Sequence, residues 1–203
     1  MTSSTIPTKP EAITDETPDM GIYVECKATL QSMGKYGAWI DLGECEEASD
    51  ITDAIDFILK TSPTPNAKEW EITDNTAPTF LIGKPWPRVM EWLQDHRALY
   101  SESMQDAFEE YTNDVNYLPT KATFEEAFQG FWADEEDFTF NRYEDAEGEL
   151  SALHDYIDWG AVWEGEYEKN GWTYCHVQVA LPRGTYSGNL TKYRSRVAIF
   201  KPV

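Results

Sequence analysis

The sequence predicts an α+β protein built from three small modules, and three observations carry that expectation. Two alternating, β-patterned segments flank a turn near the N-terminus. Apolar residues then recur at helical spacing through the middle of the chain. Two long β-favouring segments close it, separated by Pro- and Gly-punctuated sequence. With 41% hydrophobic and 14% aromatic residues among 203, each module has bulky side chains from which to build a core.

Residues 1–19 hold Ser, Thr, Pro and acids and read as a flexible tail. The first module, 20–84, opens with a strand over Gly21–Thr29, a turn at Ser32-Met33-Gly34 and a second strand over Tyr36–Leu42, an antiparallel hairpin. Asp50 is placed to cap a helix whose inward face is Ile51, Ala54, Ile55, Ile58 and Leu59. Thr61–Asn66 (T-S-P-T-P-N) breaks that helix, and Glu69–Thr73 reads as a third strand.

The second module, 85–119, begins with Pro85 and Pro87, which a first helical turn tolerates because its N–H groups lack intrahelical partners. Val89, Trp92, Leu93, His96 and Leu99 form its stripe. A further helix after Ser101 turns Met104, Ala107, Phe108, Tyr111 and Val115 inward, and Leu118-Pro119 ends it. In the third module, 120–203, Thr123-Phe124-Glu125-Glu126 matches a capping box, with Phe124, Ala127, Phe128 and Phe131 facing in. Acids at Asp134–Asp137 suit the start of another helix. An acidic connector over Glu144–Glu149 leads to an expected helix from about Ser151 to Glu168, burying Leu153, Tyr156, Ile157, Val162 and Trp163. Strands over Gly171–Leu181 and Thr191–Phe200 complete the chain.

The charge is concentrated. Between Glu102 and Glu168 stand twenty acids and two bases, Lys121 and Arg142, so this stretch supplies −18 of the net −21. Residues 169–203 hold six bases and no acid. Such a field repels nucleic acids and anionic membranes and attracts basic protein surfaces. A helix that only needed solubility would interleave both signs and gain i,i+4 pairs. This stretch forgoes them while keeping apolar anchors, which implies ordered carboxylates. A rigid, dense array of negative charge resembles the outside of a nucleic acid.

Little in the sequence points to catalysis. His96, His154 and His176 stand apart, Gly83-Lys84 lacks the rest of a phosphate loop, and no G-x-S-x-G occurs. Asp145-x-Glu147-Gly148 lacks calcium-loop spacing. Cys26, Cys45 and Cys175 form no C-x-x-C pair, which argues against a zinc site or disulfide framework and for a reducing compartment. Neither a signal-peptide core nor an apolar run of about 20 residues is found, so a soluble cytoplasmic protein is expected.

Three segments carry a family resemblance. Ser32–Leu42 (S-M-G-K-Y-G-A-W-I-D-L) resembles the N-terminal glycine–tryptophan signature of ArdA-type antirestriction proteins. Thr123–Asp137 (T-F-E-E-A-F-Q-G-F-W-A-D-E-E-D) is similar to that family's acidic F-E-E-A-Y-Q-G segment, and Tyr156-Ile157-Asp158-Trp159 to its Y-I-D-W/Y motif. The N-terminal tail and the basic end from Pro182 to Val203 look like additions to the pattern. The resemblance implies an elongated, three-module, homodimeric DNA mimic. It would occupy the DNA groove of type I restriction–modification enzymes in a bacterial host's cytoplasm and be carried by a mobile genetic element.

The expectation is therefore a non-catalytic protein with no cofactor or metal, no membrane contact and no direct nucleic-acid binding. Its partner surface would be Glu102, Asp106, Glu109, Glu110 and Asp114 in the second module. In the third it would be Glu125, Glu126, Asp134, Glu135, Glu136, Asp137, Glu144, Asp145, Glu147 and Glu149. Alternatives are an inhibitor of another DNA-binding defence system, an acidic chaperone for a basic protein, and a metal-dependent hydrolase with a buried acid pair beside His154.

Overall fold

A computed structural model describes residues 8–32, 34–147, 156–180 and 193–203. The chain is mixed α+β with two small antiparallel sheets. It packs into two compact units, one ending at Gln94 and the other beginning at Asp95, so the division falls inside a helix. Among the described residues no helix is long and apolar enough to cross a membrane.

The first unit holds a four-stranded sheet in the order β1-β3-β2-β4. Its strands are β1 (Ile13–Thr14), β2 (Gly21–Cys26), β3 (Gly37–Asp41) and β4 (Trp70–Asn75). Alternation sends Ile22, Val24 and Cys26 of β2 and Ile40 of β3 to one face, each 0% exposed. Helix α2 (Ala48–Thr61) packs on β2 and β3 through Ile51, Ala54, Ile55 and Ile58. The expected hairpin is present, with Ile22 opposite Ile40 and Tyr23 opposite Trp39. Gly37 is required there, because a Cβ at this position would collide with the Val24 carbonyl.

Three expectations for this unit need correction. The expected tail is partly structured: β1 pairs with β3, Asp41 N donates to Ala12 O at 2.8 Å, and Ile13 is buried. Two apolar residues, Ala12 and Ile13, suffice to dock a segment whose composition otherwise resembles disorder. The strand expected to reach Thr29 stops at Cys26, and Lys27–Ser32 form helix α1. Helix α2 starts earlier than expected, with Glu47 as N-cap; Asp50 reaches back from the first turn to accept from Glu46 N and Glu47 N at 2.8 and 2.9 Å.

Helix α3 (Trp86–Arg97) crosses the division, and Val89, Trp92 and Leu93 lie buried as its stripe predicts. The second unit continues with α4 (Glu102–Val115), α5 (Lys121–Ala127), β5 (Phe128–Trp132), α6 (Glu135–Glu147) and α7 (Trp159–Val162). A π turn (Trp163–Tyr167) and a 3₁₀ turn (Glu168–Asn170) follow α7, then β6 (Thr173–Ala180) and β7 (Tyr193–Phe200). The sheet order is β5-β7-β6.

Central strand β7 explains why Val197-Ala198-Ile199-Phe200 is apolar without alternation: both its faces are covered. On one face Phe200 meets Tyr111 of α4, Phe124 of α5 and Phe128 of β5. On the other, Val197 and Ile199 pack with Phe138 of α6 and Trp163, ringed by Trp132, Tyr167 and Trp172. The sheet is therefore sandwiched between an α4/α5 layer and an α6/α7 layer.

Here too the structure corrects the sequence reading. The cap of α5 is Thr120, whose Oγ1 accepts from Thr123 N at 3.2 Å, so Thr123 lies inside the first turn. Phe128 and Phe131 belong to a strand rather than to a continued helix; Gly130 at φ +107° sits where the β5–β7 register shifts. The long helix expected over 151–168 is replaced, within the described residues, by a segment from Trp159 to Asn170 that changes from α to π to 3₁₀. Tyr156 is 85% exposed rather than buried, and Ser151 to Asp155, with Leu153 and His154, lie outside the described residues.

Candidate partner-binding face

Helix α4 supplies the best-defined group of acids. Ser101 Oγ accepts from Met104 N at 3.3 Å, and Asn116 ends the helix in the left-handed region at φ 57°. Met104, Ala107, Phe108 and Tyr111 fix its inner side against the sheet. That rotation leaves Glu102, Asp106, Glu110 and Asp114 exposed and Glu109 half-buried. At 100° per residue all five fall within an arc of about 140°. They form one stripe.

Glu109 Oε1 stands 2.9 Å from Nε2 of His96, a buried side chain that the sequence assigns to the apolar stripe of α3. The two residues lie thirteen positions apart across a turn, a spacing no local pattern reveals. Glu102, Asp106, Glu109, His96, Gln105 and Gln178 line an open concavity of about 520 Å³. Burial raises the Asp106 carboxyl above its ordinary value, Glu109 and Glu102 push it further, and His96 opposes them.

The expected acids of the third module divide. Glu125 and Glu126 are exposed on α5, where Lys121 Nζ lies 3.7 Å from Glu125 Oε1 and partly offsets their field. Asp134 and Asp137 cap α6: Asp134 Oδ1 accepts from Asp137 N at 2.8 Å, and Asp137 Oδ2 from Ala133 N at 3.2 Å. These two carboxylates are already engaged in holding the helix start. Glu135 is half-buried and Glu136 exposed. Glu144, Asp145 and Glu147 lie on α6 with undescribed side chains, and Glu149 falls outside the described residues.

Both groups bear on the same strand. Burial raises the Cys175 thiol to about 12, with Glu110 and Asp114 of α4 adding to the rise. Glu135 raises the neighbouring Tyr174 hydroxyl, together with burial and Glu168. Successive residues of a strand face opposite ways. Glu110 and Asp114 of α4 and Glu135 of α6 thus act on edge strand β6 from its two faces. Glu168 is an acid that local motif reading did not single out, although it lies in the same charge block.

Among the described residues, no group of three or more His, Cys, Asp or Glu side chains is arranged to hold a metal ion. Among the expected acids, Glu109 pairs with His96 and Glu125 with Lys121. No family model, no curated protein and no solved structure matches the chain.

Proposed function

We propose that the chain is a non-catalytic DNA mimic, an antirestriction inhibitor of the ArdA type, whose carboxylates take the place of phosphates in a basic groove. The observation that carries this reading is the α4 stripe, with neighbouring acids at i,i+4 spacing along one side of the helix. Along the helix axis the stripe sets one carboxylate per about 4.5 Å. One strand of a duplex carries one phosphate per about 3.4 Å of axis. Arg and Lys that grip phosphate accept carboxylate by the same charge-assisted hydrogen bonds.

The second support is the resemblance of Ser32–Leu42, Thr123–Asp137 and Tyr156–Trp159 to that family's motifs. It names the proposed target, a type I restriction–modification enzyme of a bacterial host, and a homodimeric inhibitor. The experiment is displacement of a labelled duplex from such an enzyme. The chain should compete with the duplex for one saturable site. A variant with Glu102, Asp106, Glu110, Asp114, Glu125, Glu126, Glu135 and Glu136 changed to Gln or Asn should lose competition while remaining folded by circular dichroism. Full competition by that variant refutes the mimicry, and loose binding of many cationic proteins without duplex competition favours an acidic chaperone.

A further inference from the structure

The first unit contains a recess of about 450 Å³ lined by Trp70, Ile72, Ile82, Gly83, Lys84, Pro85 and Trp86. None of these residues is acidic, in a chain where acids outnumber bases 37 to 16. The strand pattern explains the exclusion. Trp70 and Ile72 of β4 face the recess, whereas Glu71 between them points the other way and lies 3.6 Å from Lys27 Nζ.

The indoles of Trp70 and Trp86 stack with centroids 6.3 Å apart and planes 27° from parallel. A third ring cannot enter between rings at that separation, so an occupant would lie against the outer face of the pair. Gly83, at φ +79°, turns the chain so that Ile82 and Lys84 both border the recess. Lys84 is exposed, and among the described residues no carboxylate lies at salt-bridge distance from it. Helix α3 begins at Trp86, which adds the positive end of its dipole to the same rim.

We propose that this recess binds a small planar aromatic molecule carrying one anionic group. The ring system stacks on the tryptophan pair above Ile72 and Ile82, and the anion meets Lys84 and the start of α3. All the residues that line this recess belong to the first unit.

The test uses the whole chain and two dyes of similar shape, anionic 1-anilinonaphthalene-8-sulfonate and neutral N-phenyl-1-naphthylamine. Dye fluorescence should rise saturably with one dye per chain. Lys84→Gln, a change at an exposed side chain, should weaken the sulfonate about fivefold, as for a solvated charge pair, and leave the neutral dye unchanged. Trp86→Ala should weaken both dyes about tenfold through lost stacking and contact area. Absence of saturable binding overturns the proposal. So does equal sulfonate affinity of Lys84→Gln and wild type, a result that does not depend on how well the Trp86 variant folds.

Discussion

Replacing Asp106 with Asn, Glu110 with Gln and Asp114 with Asn should make the protein more stable and a weaker competitor of duplex DNA. On α4 these three, with Glu102 and Glu109, create like-charge pairs at 102/106, 106/110 and 110/114 and a fourth at 106/109. Each such pair costs about 0.2–0.5 kcal/mol, so the four cost about 1–2 kcal/mol together. Asp114 also sits in the last turn, where a negative charge opposes the dipole by about 0.3–1 kcal/mol. Glu102 is kept because it favours the first turn, and Glu109 because His96 is buried against it. The expected gain is therefore about 1–3 kcal/mol in urea unfolding at low salt. It should shrink in about 1 M salt, where the screening length falls to about 3 Å. Equal or lower stability at low salt would show that the stripe is not mutually repelling. A variant that still displaces duplex as well as wild type would remove α4 from the contact surface.

Asp106 gives a pH signature. Its folded value is raised, so its ionisation destabilises the native state; that cost is fully present above the raised value and fades as pH falls toward the ordinary carboxylate range. Asp106→Asn should accordingly raise the urea midpoint at neutral pH and change it little near pH ~3. Asp50 has the opposite sign, because the N–H groups of Glu47 and Glu46 lower its value. Asp50→Ala should cost stability at neutral pH, and the cost should vanish once acid has protonated the wild-type carboxyl. Cys175, raised to about 12 by burial, Glu110 and Asp114, should alkylate slowly with iodoacetamide and faster in the α4 triple variant. Phe138, 1% exposed at the centre of the α6 face, should cost about 3–5 kcal/mol as Phe138→Ala in denaturant unfolding.

The elements legible in the sequence are those whose apolar residues keep one period. Helices α2, α3 and α4 bury the predicted stripes except for Leu59 and Val115, which are half-buried, and β2 and β3 pair in the predicted sense. Strand β5 was hidden because Phe124, Ala127, Phe128 and Phe131 keep a helical period across the junction. The change to strand is made by Gly130 and by the demand of β7 for a partner, a long-range cause. Segment Ala12–Thr14 was hidden because its docking partner, β3, lies more than twenty residues away. For the acidic face, spacing on α4 revealed the stripe, but no local pattern distinguishes Asp134 and Asp137, spent on capping, from Glu135 and Glu136. The meeting of His96 with Glu109 and the bracketing of β6 by two groups of acids are properties of the tertiary arrangement.

Strand β7 has a consequence for the order of synthesis. Every acid between Glu102 and Glu168 leaves the ribosome before Val197–Phe200, the run on which both helical layers rest. A nascent or prematurely stopped chain lacking those four residues would carry the whole of that charge block and none of the frame that orients it. Charge alone would then make such a fragment soluble, and its failure to compete with duplex would measure how much depends on shape.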